Sequence, residues 1–303
     1  MNKAEKVSSA YSSDFWEQCP DVYRDIVKKD EDREYVVQGE QINRVFRAVL
    51  TFDHLRKELQ PGARILDIGC GLGFNSCHLS TLGYDVKAFD ASSKGIERSK
   101  ELAIGLGLDP DIFTCSDHTY LEALGTASFD AVIGMGFIYY LDNLARDKTY
   151  KEIQRILIDK GLFCLTLTNA LFDAFTLNNT SLRFWSSLIN EFSDIEGSLG
   201  KSVEECINEN IQVPQRKVTT NSISNRFGIH GDNPLLYREF IKNYGFSVDE
   251  ILYPDSHILP PFLEAKFDSK IIDKVKARFC VQNARSWHGL LMDYEFLAFL
   301  RKN

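Results

Sequence analysis

The sequence predicts an α/β fold, in which a doubly wound and mostly parallel sheet carries helices on both faces. Between residues 61 and 170, short apolar runs alternate with segments of helical periodicity, a pattern typical of parallel sheets. The first run leads into a turn with three glycines, where the backbone can bend sharply and a ligand can approach it closely. Carboxylates end the first three runs, and ligands of open parallel sheets bind at that edge.

Composition and charge describe an ordinary globular protein with an acidic balance. The chain has 303 residues, of which 44% are hydrophobic and 26% charged, and its net charge is −8. That length suits one large α/β domain with additions, or two small ones. The acidic balance argues against a nucleic-acid partner. Residues 1–10 lack the apolar core of a signal peptide, and the longest apolar run, 131–141, is short of the roughly 18 residues that span a bilayer. We therefore expect a cytoplasmic protein without a membrane partner.

The seven cysteines lie at positions 19, 70, 77, 115, 164, 206 and 280, and none forms a C-x-x-C pair. An odd count, with several members in predicted strands, indicates reduced and mostly buried thiols. Cys70 lies inside the glycine turn, and we interpret it as a structural residue rather than a nucleophile.

Helical spacing of apolar residues predicts a helical arm over residues 1–60, which Pro61-Gly62 ends. The core segment 61–170 follows as four strand–helix pairs and a fifth strand. The pairs are 64–69 with 74–82, 85–90 with 93–106, 111–115 with 118–124, and 130–135 with 143–158, and the fifth strand covers 160–167.

Residues 171–233 break this rhythm, and a stretch of about 60 residues exceeds an ordinary connection. We predict an inserted cap subdomain that covers the acceptor or forms the interface of a homodimer. Residues 234–303 then return to the core. We expect a helix over 234–244 with Asn233 as N-cap, a strand over 246–253, an excursion over 254–286 and a last strand over 289–300.

The glycine turn has a distinctive surrounding sequence. Asp67 comes one residue before the end of the first strand, and Gly69, Gly71 and Gly73 follow. A dinucleotide-binding turn has the pattern G-x-G-x-x-G, whose last glycine would here be Phe74. The run Leu66-Asp67-Ile68-Gly69-Cys70-Gly71-Leu72-Gly73 instead resembles motif I of the class I S-adenosylmethionine (SAM) dependent methyltransferases.

Four further landmarks of that family follow in order. Asp90 ends the second strand and Asp117 ends the third. Residues 129–136 resemble the fourth motif, and residues 160–167 read as a turn and the fifth strand. The resemblance implies a Rossmann-like methyltransferase fold with seven strands, of which the last is antiparallel, and SAM as cofactor with S-adenosylhomocysteine as product.

The resemblance also implies which residues bind the donor. Asp67 would face the cationic amino-acid end of SAM, Asp90 would accept hydrogen bonds from the ribose hydroxyls, and Asp117 would face the adenine. The full expected set is Asp67, Gly69, Cys70, Gly71, Asp90, Ala91, Asp117, His118 and Met135, with Tyr11 if the N-terminal arm closes over the donor. No metal is expected, because Asp142 and Asn143 do not form the ligand set of catechol-type methyltransferases.

The core motifs identify the donor and say little about the acceptor, since an activated sulfonium mainly needs a well-placed nucleophile. His230, in a glycine-flanked turn, is the first candidate for a base that deprotonates a hydroxyl. Tyr140, just after the fourth strand, could shape the acceptor pocket. His257 and His288 are further candidates for the base.

We therefore expect methyl transfer from SAM to a hydroxyl or amine of a small molecule or sugar. The sugar is suggested by the segments Leu259-Pro260-Pro261-Phe262 and Trp287-His288-Gly289, which resemble methyltransferases of surface-polysaccharide pathways. A nicotinamide-dependent oxidoreductase with the same turn is one alternative. A SAM-binding sensor or scaffold without catalysis is another, because a fold does not fix its function.

Overall fold

The computed structural model describes residues 42–176, 181, 205, 231–254 and 256–303. Eight strands of this part of the chain form one sheet: β1 (Arg64–Ile68), β2 (Asp85–Asp90), β3 (Phe113–Cys115), β4 (Phe129–Gly134), β5 (Leu157–Asn169), β6 (Gly231–Asp232), β7 (Phe246–Leu252) and β8 (Glu295–Lys302). Their order is β3-β2-β1-β4-β5-β8-β7, with β6 paired to β5. Strands β1 to β5 are parallel, and β8 lies antiparallel between β5 and β7. The α/β class and the antiparallel last strand are confirmed, and β6 is a two-residue addition to the seven strands expected.

Helices connect these strands on both faces of the sheet. Among the described residues they are α1 (Ile42–Glu58), α2 (Phe74–Thr81), α3 (Ser93–Gly105), α4 (Asn143–Ile156), α5 (Phe172–Phe175), α6 (Tyr237–Lys242), α7 (Pro261–Glu264), α8 (Ser269–Asn283) and α9 (Trp287–Met292). Side chains cap the N-termini of the long helices α3 and α4. Ser92 accepts a hydrogen bond from the Gly95 amide, and Asp142 accepts one from the Ala145 amide. In this part of the chain, no helix has the length and apolar character needed to cross a membrane.

Two apolar layers hold the helices to the sheet. Because neighbouring residues of a strand point to opposite faces, Ile65 and Leu66 belong to different layers. The layer around Leu66 includes Tyr150 of α4 and Tyr237 of α6. The layer around Ile65 includes Phe52 of α1. The side chains of both layers are buried against the centre of the sheet.

Two predicted elements differ from the structure because short apolar runs fit more than one conformation. The segment predicted as helix 118–124 is a 3₁₀ helix over His118–Ala123, which the Asp117 side chain caps by accepting from the Thr119 amide. The strand predicted over 289–300 begins only at Glu295. Residues 287–292 form α9 instead, because the Ser286 side chain accepts from the His288 amide and starts a helix there.

The helix predicted over 234–244 is shorter, since α6 begins at Tyr237. Asn233 accepts from the Leu235 amide at 3.0 Å and so forms a turn rather than the expected N-cap. Gly245, with φ of +78°, follows the end of the helix as predicted. Most of the inserted segment 171–233, like residues 1–41 of the N-terminal arm, lies outside the described residues. The predicted boundaries of these segments stay predictions.

A buried polar network fixes β6, the strand with which the chain returns to the sheet after the inserted segment. In β6, Asp232 pairs with Asn169 at the end of β5, beyond the last residue of β5 that β4 reaches. Arg146 of α4 donates to the Asp232 carboxylate at 2.5 Å and to the Tyr150 hydroxyl at 3.2 Å. The Tyr150 hydroxyl in turn lies 3.1 Å from that of Tyr237. The ion pair thus joins β6 to α4, and the two hydroxyls extend the network to α6.

The glycine turn between β1 and α2 is held by close packing. Gly69, Gly71 and Gly73 all have positive φ, between 57° and 73°. A Cβ atom on Gly69 would lie 2.6 Å from a ring carbon of Phe137, which follows β4. A side chain at this position is therefore excluded both by the backbone conformation and by space.

We expect Gly69→Ala to destabilise the protein more than Gly107→Ala. Gly107 has a similar φ of +72°, but no atom lies within 4 Å of the place that a Cβ would occupy. Its substitution by alanine therefore carries only the backbone strain, about 1–2 kcal/mol. Gly69→Ala adds an overpacking penalty of about 1–3 kcal/mol against Phe137. Urea unfolding of both variants measures the difference.

The double variant Gly69→Ala/Phe137→Ala, compared with Phe137→Ala alone, tests the stated cause. Relief of the excess penalty in this background supports the contact with Phe137. An undiminished penalty contradicts it.

Candidate active site

The carboxyl edge of the sheet brings together the residues singled out in the sequence. From β1, the chain proceeds to β2 on one side, while β4 lies on the other. Open α/β sheets bind ligands at such a switch point, outside the carboxyl ends of the strands. The glycine turn after β1, the end of β2 and the exit of β4 all meet there.

Asp90, at the end of β2, joins two loops of this edge. One carboxylate oxygen accepts from the Gly71 amide at 2.9 Å, and the other accepts from the Ser92 amide at 2.8 Å. Burial raises the pKa of Asp90, and the two amide hydrogen bonds oppose that effect. Each oxygen retains a lone pair, so the carboxylate can still accept hydrogen bonds from a bound ligand.

Asp67 is buried beneath the turn, with 1% of its surface exposed. Its Oδ2 accepts from the Ser76 hydroxyl of α2 at 2.6 Å, and no described residue donates to its Oδ1. Burial raises the pKa of Asp67 to about 7; the hydrogen bond from Ser76 opposes this, and the nearby charge of Asp90 adds to it. The folded protein therefore retains this proton at a pH where the unfolded chain has lost it. Stability from this group falls as the pH rises from about 4 to about 7.

Cys70 and Ala91 flank these carboxylates. Burial, together with the charges of Asp67 and Asp90, raises the pKa of the Cys70 thiol well above its usual value. A protonated thiol is a poor nucleophile, which agrees with the structural interpretation of Cys70. Ala91 is exposed. Of the other described cysteines, Cys77, Cys164 and Cys280 are buried and Cys115 is exposed, so the described thiols are mostly buried, as expected.

Asp117 and His118 lie at the end of β3. Asp117 Oδ1 accepts from both the amide and the hydroxyl of Thr119, and this hydroxyl hydrogen bond is the main cause that lowers the pKa of Asp117. The buried Nδ1 of His118 has no hydrogen-bond partner among the described residues. The pair thus stands beside the end of β2, on the side away from β4.

The residues that follow β4 place a sulfur atom and an aromatic ring at the carboxyl edge of the sheet. The Met135 sulfur lies 3.8 Å from the Thr51 hydroxyl of α1. The Phe137 ring packs over Gly69 and meets Phe89 edge-on, with ring centroids 6.1 Å apart. Tyr140 is partly buried, and its ring centroid lies 4.7 Å from that of Tyr139.

Beside this exit lies a buried charged cluster that the sequence analysis missed. Glu295, the first residue of β8, forms an ion pair with Arg47 of α1 and accepts from the Tyr139 hydroxyl at 3.1 Å. Burial and the charge of Glu295 raise the pKa of Tyr139 well above its usual value. Glu295 is the one charged residue in the apolar run 294–300 of the sequence. Because a buried charge needs a partner, this position could have indicated an ion pair.

The remaining candidate site residues are Tyr11 and three histidines, which lie in different parts of the chain. Tyr11 and His230 lie outside the described residues. His257 follows β7 at the carboxyl edge, and its Nδ1 lies 2.6 Å from a carboxylate oxygen of Glu264. His288 lies in α9, where Nδ1 meets the Ser286 hydroxyl at 3.0 Å. Among the residues that the structure describes, no three His, Cys, Asp or Glu side chains are grouped so that they could hold a metal ion.

The chemistry of this edge favours a ligand with hydroxyls and a positive charge. Two carboxylates with open acceptor positions lie at the turn, Asp67 buried and Asp90 partly buried, and both lack an arginine or lysine partner among the described residues. Such a pair suits hydroxyl donors and an ammonium group, and it disfavours the pyrophosphate of a dinucleotide at the turn. The donor set therefore fits the sugar and amino-acid ends of SAM.

A family model described as a methyltransferase domain matches residues 66–165. A ubiquinone biosynthesis O-methyltransferase of Sinorhizobium fredii is 37% identical over 87 residues, which are 28% of this chain. The alignment spans about a third of that relative's length, 34%.

Solved structures show the same fold at low identity. A magnesium protoporphyrin IX methyltransferase from Synechocystis PCC 6803, solved with bound SAM, has a TM-score of 0.53 at 11% identity, with 100% of this chain and 98% of that chain covered. A [4+2]-cyclase has a TM-score of 0.50 at 14% identity, with 89% and 84% covered. Residues 66–165 thus match the methyltransferase domain family, and the chain shares the fold of a methyltransferase solved with bound SAM.

Proposed function

We propose that the protein transfers a methyl group from SAM to a hydroxyl of a small molecule. The observation that carries the proposal is the pair of carboxylates, buried Asp67 and partly buried Asp90, at a glycine turn that admits close approach of a ligand. SAM supplies an activated methyl group for in-line displacement, so the protein must mainly orient the two substrates.

The donor would lie along the carboxyl edge, from β3 to β4. In this arrangement Asp90 accepts hydrogen bonds from the ribose hydroxyls, and Oδ1 of Asp67 faces the ammonium group. Gly69, Cys70 and Gly71 present their backbone to the amino-acid end. Ala91, Asp117 and His118 would surround the adenosine, and Met135 would approach the reacting centre. Tyr11 and Tyr140 are proposed to complete the donor and acceptor sides.

The acceptor is proposed to be a small molecule that is methylated on an oxygen atom. The matched curated relatives are named as O-methyltransferases, which favours oxygen over nitrogen. Only about a third to a half of their length is aligned, so their substrate is not carried over. A sugar-type hydroxyl and a cap formed by residues 171–233 stay predictions, as does a homodimer formed through that segment. A cytoplasmic location agrees with the free thiols of Cys70, Cys77, Cys115 and Cys164 in the described part of the chain.

Loss of the Asp90 carboxylate should weaken SAM binding and lower the rate of transfer. We expect Asp90→Ala to weaken the SAM affinity by about 10²-fold, because hydrogen bonds to a charged group contribute about 1.5–3 kcal/mol each. Asp85→Ala is the matched control, since Asp85 is exposed at the opposite end of the same strand. Calorimetric titration with SAM measures the affinity.

Methyl-tritiated SAM, incubated with fractionated extract of the source cell, tests the transfer itself. Label in the small-molecule fraction with wild type and Asp85→Ala, but not with Asp90→Ala, is the expected result. Label in protein or nucleic acid would contradict the substrate class. Binding of NAD in place of SAM would indicate an oxidoreductase, and SAM binding without transfer to any fraction would indicate a sensor.

The raised pKa of Asp67 predicts a pH-dependent SAM affinity. At pH 5.5 most of this carboxyl is protonated and attracts an ammonium group weakly, whereas at pH 7.5 it is largely ionised. We expect the affinity to rise by about tenfold between these values, since one coupled proton changes it by at most tenfold per pH unit. The range stops below pH 8 because the α-amino group of SAM titrates near there.

The matched variant is Asp67→Asn, which keeps the size of the side chain and the oxygen that accepts from Ser76. Its SAM affinity should be lower at pH 7.5 and nearly independent of pH. An equal pH dependence in wild type and Asp67→Asn would assign the effect to another group.

A further inference from the structure

We infer that His257 and Glu264 form a catalytic dyad, in which His257 is the general base that deprotonates the acceptor hydroxyl and Glu264 positions its ring. The inference rests on the proposed function, since it concerns the acceptor side of the same reaction.

The topology places His257 at the edge where the acceptor must enter. Strand β7 is parallel to β5, because both are antiparallel to β8, and it therefore ends at the same edge as β1 and β4. His257 follows that end, and its amide donates to the Met292 carbonyl at 2.6 Å just before β8. Neighbouring strands lie about 4.8 Å apart, so β5 and its loop stand about 10 Å to the side of the glycine turn. An acceptor beside the donor methyl group would occupy that interval.

The two sides of the His257 ring are in different surroundings. Nδ1 lies 2.6 Å from Oε2 of Glu264, while Nε2 is hydrogen-bonded to no described residue. The His257 side chain is 20% exposed and that of Glu264 only 9%. The ring is thus held at one nitrogen and open at the other, as a base that receives a proton from a substrate requires.

Glu264 is fixed by more than its contact with the ring. Its Oε1 accepts from the amides of Ile258 and Leu259, at 2.8 and 3.3 Å. Burial alone would raise the pKa of Glu264, but the hydrogen bond from His257, its charge and that of Lys276, and the Ile258 amide together lower it. An ionised carboxylate only accepts hydrogen bonds, so Nδ1 carries the ring proton and Nε2 of the neutral ring is the acceptor.

An aromatic surface supports the ring from the β5 side. The Phe172 ring of α5 stacks on the imidazole, with centroids 5.2 Å apart and planes at 29°. Tyr294 meets the same Phe172 ring edge-on at 5.8 Å. The face of Phe172 and the carboxylate of Glu264 both stabilise a positive charge on the imidazole.

The proposed step balances without any further reactant. The acceptor O–H bond breaks as its proton moves to Nε2, and the oxygen forms a bond to the methyl carbon of SAM. The electron pair of the S–CH₃ bond stays on sulfur, which gives S-adenosylhomocysteine. The imidazolium then releases its proton to solvent. Such a base matters for a hydroxyl and is nearly unnecessary for a neutral amine, so the dyad assigns an oxygen acceptor.

Two variants separate the roles of the residues. His257→Asn retains a donor near Nδ1 for Glu264 but removes Nε2. Glu264→Gln can keep its oxygen on the Ile258 and Leu259 amides, and it then turns its NH₂ group toward Nδ1. That arrangement forces the ring proton to Nε2 and removes the acceptor. Glu239→Gln is the control, since Glu239 is exposed on α6, where it pairs with Lys242.

We expect His257→Asn and Glu264→Gln to lower the rate of transfer from methyl-tritiated SAM by about 10²–10⁴-fold, with SAM affinity and melting temperature unchanged. The acceptor probe is the extract fraction that the wild type labels. Nitrogen-15 NMR of the histidine rings should show the Nδ1–H form of His257 in wild type and the Nε2–H form in Glu264→Gln.

Unchanged transfer in both variants, or an Nε2–H ring in wild type, would overturn the dyad while leaving the proposed function intact. A fall in melting temperature that accounts for the lost rate would assign the pair a structural role instead. Wild-type protein that binds SAM but labels no fraction would contradict the proposed function, and the dyad with it.

Discussion

The hydrogen bonds of Asp90 to the Gly71 and Ser92 amides are the interaction on which the carboxyl edge depends. They fasten the turn after β1 to the loop after β2, so the first two crossovers meet at one carboxylate. The same burial that makes Asp90 an effective anchor raises its pKa and, with the neighbouring charge, that of Asp67. A cationic ligand would relieve this shared cost, because it offers both carboxylates a counter-charge that the described residues do not supply.

The reversed direction of β8 adds a second group of side chains to this edge. Because β8 runs against β5, it begins where the parallel strands end, and its first residue, Glu295, reaches the exit of β4. The ion pair with Arg47 ties α1 to the same place. Parallel strands therefore provide the carboxylates Asp67 and Asp90, and β8 with the loops beside it provides charged and aromatic groups at the same edge.

The parts of this structure that the sequence predicted are those that depend on local geometry. A turn with three positive φ angles requires glycine, and a carboxylate at a strand end needs no distant partner to be recognised, so Gly69, Asp67 and Asp90 could be identified. The Arg47–Glu295 pair could not, because its members are 248 residues apart and no periodicity links them. Short apolar runs were assigned incorrectly where one capping side chain decided the outcome, as Ser286 does for the helix that precedes β8. His257 was one of several histidines in the sequence, and only the fold brings Glu264 and Phe172 to its ring.

The position of β6 has a consequence for how this protein can change over evolution. Asn169 and Asp232 are direct neighbours in the sheet, so the chain leaves the core and returns to it at adjacent points. Arg146 secures the return through Asp232. The entropy of closing a loop grows only slowly with its length, so the segment between these points can be lengthened, shortened or exchanged with little effect on the stability of the sheet. The sheet can thus accept a different segment at this point while its carboxyl edge stays as it is.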